Sequence, residues 1–437
     1  MKIIYKSIIL IGAILFSSCN DEYLNPSAAS ETQVINDVAG LITLANGLSY
    51  KYSVGGASPE YTVPTTSGLL TGELNVLNSG NTNEQLLLQG GGSVIGDNSV
   101  LTNLWNQSNL VKSNADIILK NLGIVTDQGT KGALQAHAAI FKALALGNLA
   151  MFWEKATIEV TKNATFVTRV EVLNQAIAVL EAASTELVKA PISSVFTAQI
   201  ASGIDYPNTI NALIARYSLM AGNYDKALTA ANAVSLAVTV KSILNHDNAS
   251  QNSLFFSSFN ARNVTEPFDA KFSLPATIPA VDPADKRISF FFNTTVGNNL
   301  AKASFFSANT TGVPIYRPGE ITLIKAEANV RKTSSDLSAA VTELNKILTK
   351  DPATDALGIG TGLATTYSGA NTAQAILDEI YKQRCVELFL SGMRLEDSRR
   401  FSRPGPGATG AERTRNFLPY PFSERDNNIN TPANPAN

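Results

Sequence analysis

The chain has 437 residues, with 34 basic and 36 acidic side chains and only 16% charged residues overall, for a formal net charge of −2. No basic surplus exists to hold a phosphate backbone, which sets nucleic acid aside as a partner. Two cysteines, Cys19 and Cys385, and two histidines, His137 and His246, are too few and too scattered for a disulfide framework or a His/Cys zinc set, so neither metal nor cofactor is expected.

At the front, Lys2 and Lys6 precede an apolar run from Ile8 to Phe16, then Ser17, Ser18 and Cys19. That is the order of charge, apolar core and small residues in a secretory signal. The run is short of the about 20 apolar residues that span a bilayer. It resembles a bacterial lipobox, with Phe16 where Leu is usual, and implies a signal peptide over 1–18 and lipidation of Cys19. Two acyl chains make such an anchor stable.

Apolar residues at Val34, Val38, Leu41, Ile42 and Ala45 predict a first amphipathic helix over Val34 to Leu48. From Ser53 to Asp97 the chain is rich in Gly, Ser, Thr, Asn and Pro, which predicts loops and short strands on the surface. Helices are expected over Ala133 to Met151 and Glu171 to Val188. A helical hairpin follows over Thr209 to Leu236, broken at Gly222 and restarted by an Asn223 cap. Another pair is lined by Ile321, Ile324 and Ala328, then by Leu337, Val341, Leu344 and Leu348, with Ser334 or Ser335 as the cap. A last helix is placed from about Thr372 to Leu390. Between Lys241 and Pro314 lies a loop-rich insert with ten phenylalanines, most of which are expected to pack the insert onto the helices.

Catalytic patterns are missing. The paired carboxylates Asp21/Glu22 and Glu396/Asp397 are adjacent in sequence and do not face each other across a sugar. Gly358, Gly360 and Gly362 lack the framing strand and helix of a dinucleotide site, and Gly90 to Ser93 lacks the lysine of a phosphate loop, so both read as loops. No enzyme activity is expected.

The helix pairs, and the stretch from Gly222 to Leu228 above all, resemble tetratricopeptide units without a regular period. Arg384, Glu387, Leu388, Gly392, Arg394, Asp397 and Arg400 stand at the spacing of a motif of the SusD/RagB family of Bacteroidetes outer-membrane lipoproteins, with Gln383, Ser391 and Ser398 as departures. Tyr316 to Val330 resembles that family's helix ending in Ala-Glu-Ala, and Pro421, Glu424 and Asn428 resemble its closing pattern. The resemblance implies a mainly α, SusD-like domain over 19–437, with an N-terminal helical and loop part over 19–240 and a C-terminal SusD/RagB part over 241–437. It also implies a surface-exposed outer-membrane lipoprotein, Asp21 and Glu22 resembling an export signal, that binds an oligosaccharide or polysaccharide and delivers it to a SusC-like TonB-dependent transporter. A peptide ligand, as in RagB-like members, and a helical-repeat adaptor without a small ligand are the alternatives.

On the physical reading, the motif charges are scaffold: Arg384 with Glu387 and Arg394 with Asp397 are three apart on a helix and expected to pair. The ligand contacts are expected from the two loop-rich regions, at Tyr61, Glu73, Asn75 and Asn78 and at Phe305 and Tyr316. Rings there would supply stacking faces, and the carboxylate and amides would supply hydrogen bonds.

Overall fold

The computed structural model describes residue 35 and residues 37–259, 264–292 and 304–436. Cys19, Asp21 and Glu22 lie outside the described residues.

Helix α1, Val38–Ser53, starts where Asp37 Oδ1 accepts from Gly40 N at 2.7 Å and buries Leu41, Ile42, Ala45 and Leu48. The region expected to be loops and short strands instead contains α2, Pro59–Thr71, and α3, Thr82–Gln89, flanking the short strand β1, Leu74–Val76. Composition misled because α2 is buried along its whole length. Two of its hydroxyls bond back into the helix, Thr62 Oγ1 to Ser58 O and Thr71 Oγ1 to Ser67 O, and Pro59 at its start fits the first turn. Tertiary burial overrides weak local propensity there.

Helices α4, Ser99–Lys120, α5, Gln128–Phe152, and α6, Arg169–Leu187, follow, with a hairpin of β2, Lys155–Thr157, and β3, Phe166–Thr168, before the last. Thr168 and Glu171 close a reciprocal cap on α6. Helices α7, Tyr206–Met220, and α8, Tyr224–Asn232, form the anticipated hairpin: Gly222 takes φ +80° and Asn223 Oδ1 accepts from Lys226 N. Helices α9, Pro318–Arg331, and α10, Leu337–Leu348, repeat the scheme, but the cap is Asp336, not a serine. From α4 to α10 each named helix packs on the next in sequence, and α11, Ala373–Glu387, packs on α9 and α10.

The insert between α8 and α9 is tied at both ends, because β4, Ile243–Leu244, pairs antiparallel with β6, Val313–Pro314. Within it, β5, Thr265–Pro267, pairs antiparallel with β1, joining the insert to the front of the chain. Phe259, Phe272, Phe291, Phe292, Phe305 and Phe306 are buried, and the rings of Phe272, Phe291 and Phe292 meet Phe389 edge-on at 5.1 to 5.8 Å. One core cluster runs from Leu41 to Tyr420 and so spans both parts of the chain.

The motif charges pair differently from the helical spacing. Helix α11 ends at Glu387, the chain turns through Leu390 at φ +52° and Gly392 at φ +86°, and α12, Arg394–Arg400, folds back. A Cβ at Gly392 would collide with Val63 Cγ1, so only glycine makes this turn. The reversal brings Arg384 onto Asp397 in a bidentate contact at 2.8 and 2.9 Å, and Arg400 onto both Asp397 and Glu327. Glu387 pairs with Arg287 and Lys350 instead of Arg384. Arg394, expected on Asp397, donates to Ser273 O and lies 5.7 Å from the Tyr381 ring.

Two buried groups oppose each other as pH changes. Burial lowers His137 from 6.5 to about 4, and its Nε2 lies 2.8 Å from Ala45 O while Nδ1 lies 3.0 Å from Tyr206 Oη. The unfolded chain therefore takes up this proton first, and stability falls as pH drops from 6.5 to about 4. Burial raises Glu73 from 4.5 to about 7, so the folded chain holds that proton and stability falls as pH rises across that window. Each contributes about 3 kcal/mol, and their opposite signs flatten the parent's profile. Urea denaturation across pH should show Glu73→Gln gaining stability from pH 4.5 toward 7, and His137→Phe losing it. Parallel profiles for the two variants would contradict both assignments.

Candidate functional site

The six residues expected at the ligand separate into four places. Tyr61 lies inside α2, 4% exposed, with its hydroxyl donating to Glu84 Oε1 at 3.0 Å. Glu73, 1% exposed, precedes β1, and its Oε2 has no hydrogen-bond partner among the described residues.

Phe305 and Tyr316 meet in an interior pocket where α2, α5, α7 and the turn after α11 converge. Its cavity is about 90 Å³ and its wall is mostly apolar, with Arg216 and Glu320 closed on each other by two bonds of 2.6 and 2.7 Å. The Arg317 guanidinium sits 5.0 Å from the centre of the Phe305 ring, and its nitrogens are bound to Glu387 O and Phe389 O. Burial outweighs the carboxylates around Arg317 and lowers it to about 10, so it stays charged at neutral pH. A space this small and apolar does not suit a polyhydroxylated ring. Phe305 and Tyr316, anticipated on a ligand-facing loop, are buried here because the insert folds down onto the helices.

Asn75 and Asn78 belong to a different place, the β1–β5 ribbon. Its register pairs Leu74 with Pro267, Asn75 with Glu266 and Val76 with Thr265. Phe268 N donating to Glu73 O and Leu77 N donating to Val264 O, both at 3.0 Å, extend the ribbon by one bond at each end. Alternation then sorts the side chains. Leu74, Thr265 and Pro267 are buried on one face. Asn75, Leu77, Glu266 and Phe268 share the other.

On that outer face Phe268 is 65% exposed and Leu77 37%. Asn75 and Glu266 are directly opposite each other and half-buried. Burial alone raises the Glu266 carboxyl from its ordinary value. Asn78 is exposed just beyond β1, where its Oδ1 accepts from Gly80 N at 2.9 Å and fixes the turn. The face thus offers an exposed aromatic ring at the end of a paired strand, with an amide and a carboxyl on the same face. Rings of this kind stack on apolar faces while neighbouring polar groups bind hydroxyls.

Phe268 and Glu266 were not among the expected contacts, because the sequence groups Phe268 with the other insert phenylalanines. The usable signal was local: Glu266 and Asp269 flank it, unlike the continuous run Phe290 to Phe292.

Residues 292–437 match the model of the SusD family. The C-terminal third of the chain belongs to this family. Among solved structures, a SusD superfamily protein from Bacteroides vulgatus shares its fold at TM-score 0.68 and 16% identity, over 91% of this chain and 99% of that one. A SusD-like carbohydrate binding protein from Bacteroides fragilis gives TM-score 0.68 at 12% identity, over 91% and 99%. Surface glycan-binding protein A from Bacteroides thetaiotaomicron gives 0.64 at 16%, over 92% and 99%. Among the curated proteins none matches. Among the described residues no helix is long and apolar enough to cross a membrane. No group of His, Cys, Asp or Glu among them is arranged to hold a metal ion.

Proposed function

We propose that this protein captures a glycan on the outer face of the β1–β5 ribbon and delivers it to a SusC-like TonB-dependent transporter, as a lipoprotein anchored through Cys19 at the outer-membrane surface. The observation that carries the reading is Phe268, an aromatic ring 65% exposed on a ribbon whose other face is core. Phe268 stands with the exposed Leu77 and the half-buried Asn75 and Glu266 on one face, and a sugar ring has an apolar face to stack there. In this proposal Asn75, Glu266 and Asn78 bind hydroxyls, Phe268 and Leu77 supply the apolar platform, and Tyr61, Glu73, Phe305 and Tyr316 serve the scaffold beneath. The carbohydrate- and glycan-binding descriptions of two fold relatives support the ligand class.

The reading is one of capture without chemistry. Asp285, Glu327, Glu387, Glu396 and Asp397 are all committed to buried ion pairs. The transporter is proposed to meet the outer sides of the helix pairs α7/α8 and α9/α10, whose inner faces are spent on each other.

Calorimetry of the purified protein against glycan and peptide panels tests the ligand class. Binding confined to peptides would replace the glycan by the peptide ligand, and no binding in either panel would favour the adaptor. The anchor and the partner are tested together in native membranes. In mild detergent the parent protein should purify with a barrel protein in near-equal amount, and Cys19→Ala should leave the membrane fraction and take up no labelled fatty acid. A Cys19→Ala protein that remains lipidated would remove the anchor, and a parent that purifies alone would remove the transporter.

A further inference from the structure

A second cleft lies away from the β1–β5 ribbon, between α11 and the loop that runs past Thr361. Its volume is about 300 Å³, at the lower end of the range for small-ligand sites. We infer that this cleft is a separate site for one neutral sugar unit, either a free monosaccharide or the end of a chain.

The floor contains Gln383, which is 2% exposed. Its Nε2 donates to Glu379 Oε1 at 2.7 Å. An ionised carboxylate only accepts, so this contact fixes which end of the amide is nitrogen. Gln383 Oε1 is then left buried with no partner among the described residues. A buried acceptor without a donor is costly, and a hydroxyl from a molecule in the cleft supplies that donor.

The charges select the ligand's class. Arg287, also on the floor, has every nitrogen engaged by a carboxylate: Asp285 takes its Nε and Nη2, and Glu387 takes its Nη1. No free cation at the floor awaits an anion. At the sides Asp282 and Glu379 outnumber Lys382, which disfavours an acidic sugar or the carboxylate of an amino acid. The outer wall is formed by Thr365, Thr366, Tyr367 and Ser368. Tyr367 is held in place at both ends, its N donating to Asn345 Oδ1 at 2.7 Å and its hydroxyl to Ala370 O at 2.9 Å. A fixed ring, a wall of hydroxyl-bearing residues and a buried acceptor are what a neutral pyranose can use.

The inference does not depend on the ribbon, and variants separate the two. Saturation-transfer NMR of the purified protein is run with glucose, galactose, mannose and xylose, and with glucuronate and glycine as charged controls. A neutral sugar should show transfer, and Gln383→Leu should weaken its binding about tenfold, the effect of losing one buried hydrogen bond. Thr366→Trp, on the exposed wall, should block the cleft without disturbing the core. Phe268→Ala should leave this signal unchanged. Transfer to no neutral sugar, a signal from the charged controls alone, or unchanged binding in both Gln383→Leu and Thr366→Trp would overturn the assignment. So would a crystal soaked with the responding sugar that shows only ordered water at Gln383 Oε1.

Discussion

Replacing Asp397 by alanine is expected to lower the unfolding free energy by about 3 to 5 kcal/mol, the cost of orphaning buried charge. Asp397 is 2% exposed and receives Arg384 through two bonds and Arg400 through a third. Arg384 has no other carboxylate partner among the described residues, and Arg400 would keep only Glu327. Burial alone would raise the Asp397 carboxyl, but the two arginines outweigh it and hold it below its ordinary 3.8. Its contribution to stability is accordingly present above 3.8 and lost as pH falls through the lower folded value. Urea denaturation of the variant and of the double variant Asp397→Leu with Arg384→Met checks the account. The apolar pair should regain part of the loss, since hydrophobic replacement of buried ion pairs is often neutral or better. An Asp397→Ala protein with parental stability and no ligand binding would instead make this cluster part of a binding site.

Phe268→Ala should abolish most glycan affinity, by roughly tenfold or more, as truncation of a central aromatic anchor does. Its fold should be unaffected, because a side chain 65% exposed contributes little to the core. Calorimetry with whichever glycan the parent binds, beside a melting curve, separates the two effects. The same experiment on Tyr61→Ala should give the reverse pattern, since Tyr61 is buried and hydrogen-bonded to Glu84. Parental affinity in Phe268→Ala would remove the ribbon from the binding site, and lost affinity in a stable Tyr61→Ala protein would return the site to α2.

Much of the helical framework was legible without coordinates. The hairpin around Gly222 and Asn223, the periodic face of Leu344 and its neighbours, and the motif from Arg384 to Arg400 are local patterns, and local patterns fix a helix, its cap or its turn. The stretch from Ser53 to Asp97 was read as loop because threonine, serine and proline argue against a helix when nothing covers them. In the fold, α4 and α12 pack against α2, and the hydroxyls turn inward.

The site shows the same division. Sequence alone determined which residues carry rings, amides and charges, and where the motif charges stand along the chain. The tertiary structure decided the rest, because the fate of a side chain depends on what the fold brings against it. Antiparallel pairing of β1 with β5, nearly two hundred positions apart in the chain, turns Phe268 outward beside Asn75. The reversal at Gly392 moves Asp397 from Arg394 to Arg384, and the pairing of β4 with β6 folds Phe305 and Tyr316 into the core. Register and chain reversal are set by contacts between distant segments, so no local periodicity contains them.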